Sequence, residues 1–118
     1  MTELIACLSP AKITQDYLVK LINSQQWEKV FLVADDLCRK DFPKMKNVEF
    51  IIADPKEPLQ KLSENIKKQL EKKITGIEVA FNMIAGSGKE HMAVLSALLK
   101  LGVGIRLIVL TENGALEL

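Results

Sequence analysis

The sequence predicts an α/β fold built on a mostly parallel sheet of about six strands, with helices on both faces and a C-terminal β-hairpin. Short runs of consecutive apolar residues recur along the chain, which is typical of strands that are covered on both sides. Between these runs, apolar residues return every three or four positions, as they do on one face of a helix. Such alternation implies right-handed crossovers between parallel strands.

The first half of the chain contains three apolar runs that end at polar or proline residues. These predicted strands cover residues 4–8, 30–34 and 48–53. A helix over residues 14–25, with Thr14 as its N-cap, joins the first strand to the second. A short helix before Pro43 lies between the second strand and the third.

The second half continues the alternation. A helix with apolar residues from Leu59 to Leu70 precedes a fourth strand over residues 77–84. The loop 85–88 leads into a helix that ends at Gly102. A fifth strand over 105–110 is followed by Asn113-Gly114, a strong hairpin signal, so residues 115–118 are expected to return as an antiparallel sixth strand.

This order of elements predicts a single Rossmann-like domain over residues 1–118, without internal repeats or linkers. In such folds, ligands bind outside the carboxyl ends of the strands, where the strand order reverses. The loops that begin at Ser9, Asp35, Asp54 and Ala85 leave those ends, and they are the candidate positions for a site.

Composition predicts a reduced, cytoplasmic protein. With 16 Lys+Arg against 15 Asp+Glu the net charge is +1, so no overall field attracts a long nucleic acid. Cys7 and Cys38 have no metal-ligand spacing near His91, and we expect both to be buried small apolar side chains. No run reaches the ~18 apolar residues that a membrane span requires. No metal, cofactor or membrane is therefore expected.

The loop between the fourth strand and the next helix predicts an anion-binding site. Gly86 and Gly88 let backbone amides approach a ligand without an intervening Cβ. The helix N-terminus adds partial positive charge, Ser87 a hydroxyl and Lys89 an ammonium group. The same Gly-Ser-Gly sequence also suits a tight strand-to-helix turn with a solvated lysine, so both interpretations stay open.

This loop belongs to neither of the two commonest nucleotide-binding motifs. A Walker A motif has Ser or Thr after its lysine, whereas Glu90 follows Lys89 here. The dinucleotide fingerprint G-x-G-x-x-G would follow the first strand, where residues 9–12 are Ser-Pro-Ala-Lys. Neither ATP hydrolysis with magnesium nor NAD binding is expected.

Further candidate residues lie on the same predicted edge of the sheet. Ser9 and Lys12 follow the first strand, and His91 lies in the first turn of the helix after the glycine loop. Asn82, near the end of an apolar strand, needs a polar partner and either orients that loop or contacts a ligand. The Asp35-Asp36 pair either accepts from a ribose hydroxyl or caps the following helix.

The order of elements and the residues around the glycine loop resemble the CRISPR-associated Rossmann fold domains, called CARF domains. In these, a strand ends in an Asn- or Asp-led stretch of the form G-G-T-K-x-M. Residues 81–92 read Phe-Asn-Met-Ile-Ala-Gly-Ser-Gly-Lys-Glu-His-Met, which is similar but shifted, and the loop Leu8-Ser9-Pro10 adds to the resemblance. The topology covers nearly the whole chain, whereas the motif covers residues 81–92.

The resemblance implies a homodimer that binds a cyclic oligoadenylate, or another phosphorylated nucleotide, across its interface. Some CARF proteins, the ring nucleases, cleave this ligand, and Ser9 and Lys89 occupy the places of an important serine and lysine there. The candidate ligand-binding set is Ser9, Lys12, Asn82, Gly86, Ser87, Gly88, Lys89 and His91. No effector domain is expected after residue 118, which narrows the resemblance to a ring nuclease, a ligand sink or one subunit of a larger assembly.

Three functions stay open from the sequence. In a metal-independent ring nuclease, the ligand's own 2′-hydroxyl would attack the phosphate, Lys89 would stabilise the added charge and Ser9 would position the ribose. A non-catalytic nucleotide sensor would use the same pocket. An interaction subunit would bind no ligand. A sulfur-relay protein is disfavoured, because neither cysteine lies exposed after a strand.

Overall fold

The computed structural model of the chain describes residues 2–118. Its strands and helices, in chain order, are β1 Glu3–Cys7, α1 Lys12–Asn23, β2 Lys29–Ala34, α2 Asp36–Asp41, β3 Val48–Ile52, α3 Leu59–Glu71, β4 Glu78–Asn82, α4 Gly88–Leu101, β5 Gly104–Thr111 and β6 Gly114–Glu117. Within these residues, no helix is both long and apolar enough to cross a membrane.

The strands form one sheet in the order β3-β2-β1-β4-β5-β6. Strands β1 to β5 are parallel to their neighbours, and β6 pairs antiparallel with β5. The predicted Rossmann-like α/β fold with a mostly parallel sheet and a C-terminal hairpin is confirmed. The chain first adds strands outward from β1 through β2 to β3, then returns to the other side of β1 with β4.

Two apolar layers cover the sheet, one on each face. Alternate residues of β1 enter opposite layers, because successive side chains of a strand point to opposite faces. Leu4 and Ala6 pack with α1 and α2, whereas Ile5 and Cys7 pack with α3 and α4. Burial on both faces explains why the central strands appear as uninterrupted apolar runs, and each fully buried leucine or phenylalanine contributes about 1.5–3 kcal/mol.

Two element boundaries at the carboxyl edge of the sheet differ from the sequence prediction. Strand β4 ends at Asn82 rather than at Ile84, since Oδ1 of Asn82 accepts a hydrogen bond from the Ile84 amide at 3.1 Å and turns the chain. Helix α1 begins at Lys12, so the prediction of Thr14 as its N-cap is wrong. Thr14 lies inside the first turn, where its hydroxyl donates to the Ala11 carbonyl.

The C-terminal hairpin is confirmed, but its turn lies one residue earlier than Asn113-Gly114. Thr111 pairs with Gly114, so Glu112 and Asn113 form the connection between the strands. The positive φ that the turn requires falls on Gly114, at 100°, where glycine has no Cβ to oppose it.

Candidate functional site

The strand order reverses between β1 and β4, and both strands end at the same edge of the sheet. Helix α1 follows β1 and helix α4 follows β4, so the N-termini of both helices lie beside this reversal. The first amide groups of a helix have no acceptor within the helix and carry partial positive charge. The geometry that favours anions in open α/β sheets is therefore present.

Gly86 brings the β4–α4 loop directly over the end of β1. Its φ is 98°, and a Cβ built on it would lie 2.8 Å from the Cβ of Cys7 and 3.3 Å from Nε2 of His91. Any other residue at position 86 would be strained by the positive φ, and its Cβ would clash with the Cβ of Cys7. The glycine predicted to admit a ligand thus has a packing reason of its own, while Gly88 has no neighbour within 4 Å of a built Cβ.

The N-terminus of α4 is closed by a capping box. Ser87 Oγ accepts from the Glu90 amide at 3.2 Å, and Glu90 Oε1 accepts from the Ser87 amide at 2.9 Å and from the Ser87 hydroxyl at 3.0 Å. The carboxylate of Glu90 therefore holds two donors that the sequence assigned to a ligand. The amides of Gly88 and Lys89, at the first two helical positions, are the donors that remain.

Both predicted cations have partners within the protein. The ammonium group of Lys89 donates to the Pro55 carbonyl, 2.8 Å away in the β3–α3 connection. Lys12 lies 3.4 Å from Asp16, one turn further along α1, and both side chains are exposed. Exposed pairs of this kind contribute little to stability and separate readily, so Lys12 is the more easily released of the two.

Ser9 is placed at the start of the β1–α1 connection, and its hydroxyl lies 2.6 Å from that of Thr14. Thr14 donates its proton to the Ala11 carbonyl, so Ser9 is the donor in the bond between the two hydroxyls. The Ser9 oxygen then has lone pairs to accept from a ligand, but no proton to donate to one. Helix α1 has no side-chain cap at Ala11, unlike α4.

Asn82 is 1% exposed and makes three hydrogen bonds. Its Nδ2 donates to the Ile108 carbonyl at 2.8 Å and to the Tyr17 hydroxyl at 3.1 Å, while its Oδ1 accepts from the Ile84 amide. Of the two roles considered for Asn82, these bonds account for the orientation of the glycine loop. No signal in the sequence links Tyr17 of α1 to Asn82, which lies 65 residues further along the chain.

His91 Nε2 lies 2.7 Å from the Ala85 carbonyl. A carbonyl oxygen only accepts, so Nε2 carries a proton and the ring fixes the loop from the helix side. Asp35 caps α2 by accepting from the Cys38 amide at 2.8 Å, which is the structural alternative of its two interpretations. Asp36 lies 3.3 Å from Arg39.

The cysteines are buried, as predicted. Burial, and to a smaller extent the charge of Glu90, raises the pKa of the Cys7 thiol to about 12. Burial and then the neighbouring Asp35 carboxylate raise the pKa of Cys38 to about 11. Thiols with such pKa values are poor nucleophiles at neutral pH. Within residues 2–118, no three His, Cys, Asp or Glu side chains are grouped to hold a metal ion.

The sequence matches no known family model and no curated protein. The CARF resemblance therefore stays an interpretation of residues 81–92 and of the order of elements.

The arrangement at the β1/β4 edge can bind an anion through amide groups at two helix N-termini, and it offers an acceptor at Ser9 for a hydroxyl group. The acidic side chains Asp35, Asp36 and Asp54 flank this edge on the β2 and β3 side. On the β1 and β4 side of the same edge lie the carboxylates of Asp16, beside Lys12, and of Glu90, on the Ser87 amide.

Proposed function

We propose that the chain binds a cyclic oligoadenylate across the interface of a homodimer, at the edge of the sheet where β1 and β4 end. The carrying observation is that α1 and α4, on opposite faces of the sheet, both begin at the edge where the strand order reverses. Their amide groups suit phosphate groups, and the Ser9 oxygen suits a ribose hydroxyl as an acceptor.

An apolar rim around the same edge supports a second copy of the chain as the cover. Large apolar side chains that are 36–80% exposed lie in the loops or early helical turns after β1, β2, β3 and β4. They are Ile13, Leu37, Leu59, Met83, Ile84 and Met92. Grouped exposed apolar residues with a polar centre are typical of binding surfaces. A two-fold axis through this edge would present each group twice to a symmetric ring.

Binding is favoured over cleavage by the position of Lys89. Its ammonium group is held by the Pro55 carbonyl, so it would have to leave that bond before it could stabilise phosphate charge. Ring cleavage is the second candidate, because the Ser9 oxygen can accept a hydrogen bond from a 2′-hydroxyl and so orient it for attack. A sensor and a ring nuclease would share the same bound state.

Titration calorimetry with cyclic tetra-adenylate and cyclic hexa-adenylate, in the presence of a chelator, tests the proposal. We expect binding at micromolar ring concentration with one ring for two chains, and a dimer in sedimentation. If neither ring binds, the proposed function is wrong. Adenosine monophosphate, measured in parallel, distinguishes a preference for the ring from binding of any phosphorylated nucleotide.

Mass spectrometry of the titrated mixtures separates sensor from nuclease. Linear products that end in a cyclic phosphate would support cleavage, and Lys89→Ala should then slow it by roughly 100- to 1000-fold. Lys72→Ala, an exposed lysine beyond the end of α3, is the matched control and should leave the rate unchanged. A ring that binds and stays intact supports the sensor.

The dimer is tested at the rim. Ile84→Asp places a charge in the exposed β4–α4 loop and should convert the dimer to monomers that keep the circular dichroism spectrum of the folded chain. Ile77→Asp is the matched control: this isoleucine is 89% exposed and precedes β4 at the opposite edge of the sheet. If the wild-type chain sediments as a monomer with the ring bound, the proposed homodimer is wrong.

A further inference from the structure

Tyr17 is the one tyrosine of the chain, and among residues 2–118 its hydroxyl oxygen only accepts hydrogen bonds. Its oxygen accepts from the Leu110 amide at 2.8 Å and from Asn82 Nδ2 at 3.1 Å. Both neighbours are donors: one is a backbone N–H, and the Asn82 amide is fixed in orientation by its bonds to Ile108 and Ile84. A phenol oxygen has two lone pairs and one proton. Both lone pairs are used, and no acceptor within residues 2–118 takes the proton.

Tyr17 also lines a groove of about 790 Å³ between α1 and the turn that joins β5 to β6. Ile13 and Leu110 give this groove apolar walls, while Asp16, Lys20 and Glu112 form a charged rim. A mostly apolar pocket with a few directed polar groups is the usual form of a small-molecule site. Ile13 lies in the first turn of α1, so the groove opens beside the connection that carries Ser9.

We propose that this groove is a nucleobase subsite, in which an adenine ring packs on Ile13 and Tyr17 and a ring nitrogen accepts a hydrogen bond from the Tyr17 hydroxyl. An adenine edge pairs an unprotonated ring nitrogen with an amino group. The nitrogen suits the Tyr17 hydroxyl, and the amino group suits the carboxylates of Asp16 and Glu112 on the rim. The inference rests on the proposed function, since it assigns the bases of the same ligand.

The single tyrosine provides a direct observable. With ¹³C-labelled tyrosine, the ζ-carbon signal reports the hydrogen bonding of one hydroxyl group. Adenosine at millimolar concentration should shift this signal, whereas uridine should leave it in place. Cyclic tetra-adenylate should shift it in the same direction at micromolar concentration.

Ile13→Ser tests the apolar wall without touching the hydrogen-bond network, because Ile13 is 80% exposed. We expect a roughly tenfold weaker affinity for cyclic tetra-adenylate and an unchanged melting temperature, with both proteins titrated at a concentration at which each sediments as a dimer, because Ile13 also belongs to the apolar rim. Ile77→Ser is the matched control and should change affinity by less than twofold. Tyr17→Phe should also weaken binding by roughly tenfold, together with a lower melting temperature, because it leaves the Leu110 amide and Asn82 without their acceptor.

The two proposals fail in different ways. If cyclic tetra-adenylate binds but neither the Tyr17 signal nor the affinity of Ile13→Ser changes, the subsite is wrong and the proposed function stands. If adenosine shifts the Tyr17 signal while no ring binds, the groove binds bases and the proposed function is wrong. If uridine shifts the signal as adenosine does, the assignment of an adenine subsite is overturned.

Discussion

Replacing Asn82 with alanine should remove three hydrogen bonds that hold β4, β5 and α1 together at the candidate site. The Ile108 carbonyl, the Tyr17 hydroxyl and the Ile84 amide each lose a partner at 2.8–3.1 Å. Each net hydrogen bond contributes about 1 kcal/mol, and a buried group left without a partner costs about 1–3 kcal/mol. Since Asn82 is almost fully buried, we expect the free energy of unfolding to fall by about 3–4 kcal/mol.

Urea denaturation followed by circular dichroism measures this loss. With a slope of about 2 kcal/mol per molar urea, a loss of about 3 kcal/mol lowers the midpoint by about 1.5 M. Asn23→Ala, at the exposed C-terminal end of α1, is the matched control and should change stability by less than about 0.5 kcal/mol. A loss below about 1 kcal/mol for Asn82→Ala would refute the argument, since the three groups would then have found other partners.

Two further predictions concern the contact between the glycine loop and β1. Gly86→Ala should lower the free energy of unfolding by about 2–4 kcal/mol, because alanine would combine a φ of 98° with a Cβ 2.8 Å from that of Cys7. Gly88→Ala, where a Cβ meets nothing, should be neutral or slightly stabilising in the same urea assay, and equal effects at the two glycines would contradict the packing argument. The raised pKa of Cys7, about 12, also makes stability depend on alkaline pH. The unfolded thiol ionises above its ordinary pKa near 9 while the folded thiol stays protonated, so this contribution is complete below pH 9 and is lost at about 1.4 kcal/mol per pH unit up to about 12. Urea titrations across this range should show that the free energy of unfolding declines less steeply with pH for Cys7→Ala than for the wild type. Parallel declines would show that Cys7 does not contribute to the pH dependence.

The sheet and its helices could be predicted because strands that are buried on both faces are uninterrupted apolar runs in the sequence. Strands such as β2 are apolar at nearly every position, and turns fall where aspartate, proline or glycine interrupts that pattern. The ends of the strands and helices were harder to predict, because they depend on side-chain hydrogen bonds such as that between Asn82 and the Ile84 amide.

The candidate site was predictable in position but not in its contacts. Parallel strands end at one edge, so Ser9 and the glycine loop had to lie on the same side of the sheet. The hydrogen-bond partner of a long side chain could not be predicted in this way, because such a side chain can reach more than one acceptor. Lys89 donates to the Pro55 carbonyl, and Glu90 accepts from the Ser87 amide. Both contacts depend on how the neighbouring elements pack around each residue.

The pairing of β1 with β4 joins Glu3 to Val79, so the two sides of the candidate site meet only after most of the chain has been synthesised. Contacts of such high sequence separation form slowly, because a long loop must close before they can stabilise anything. Until β4 arrives, β1 presents one row of unpaired N–H and C=O groups, a template for pairing with other chains. A ligand at the β1/β4 edge would bind only chains in which this seam is closed, and by mass action it would oppose the opening of the seam and the aggregation that follows.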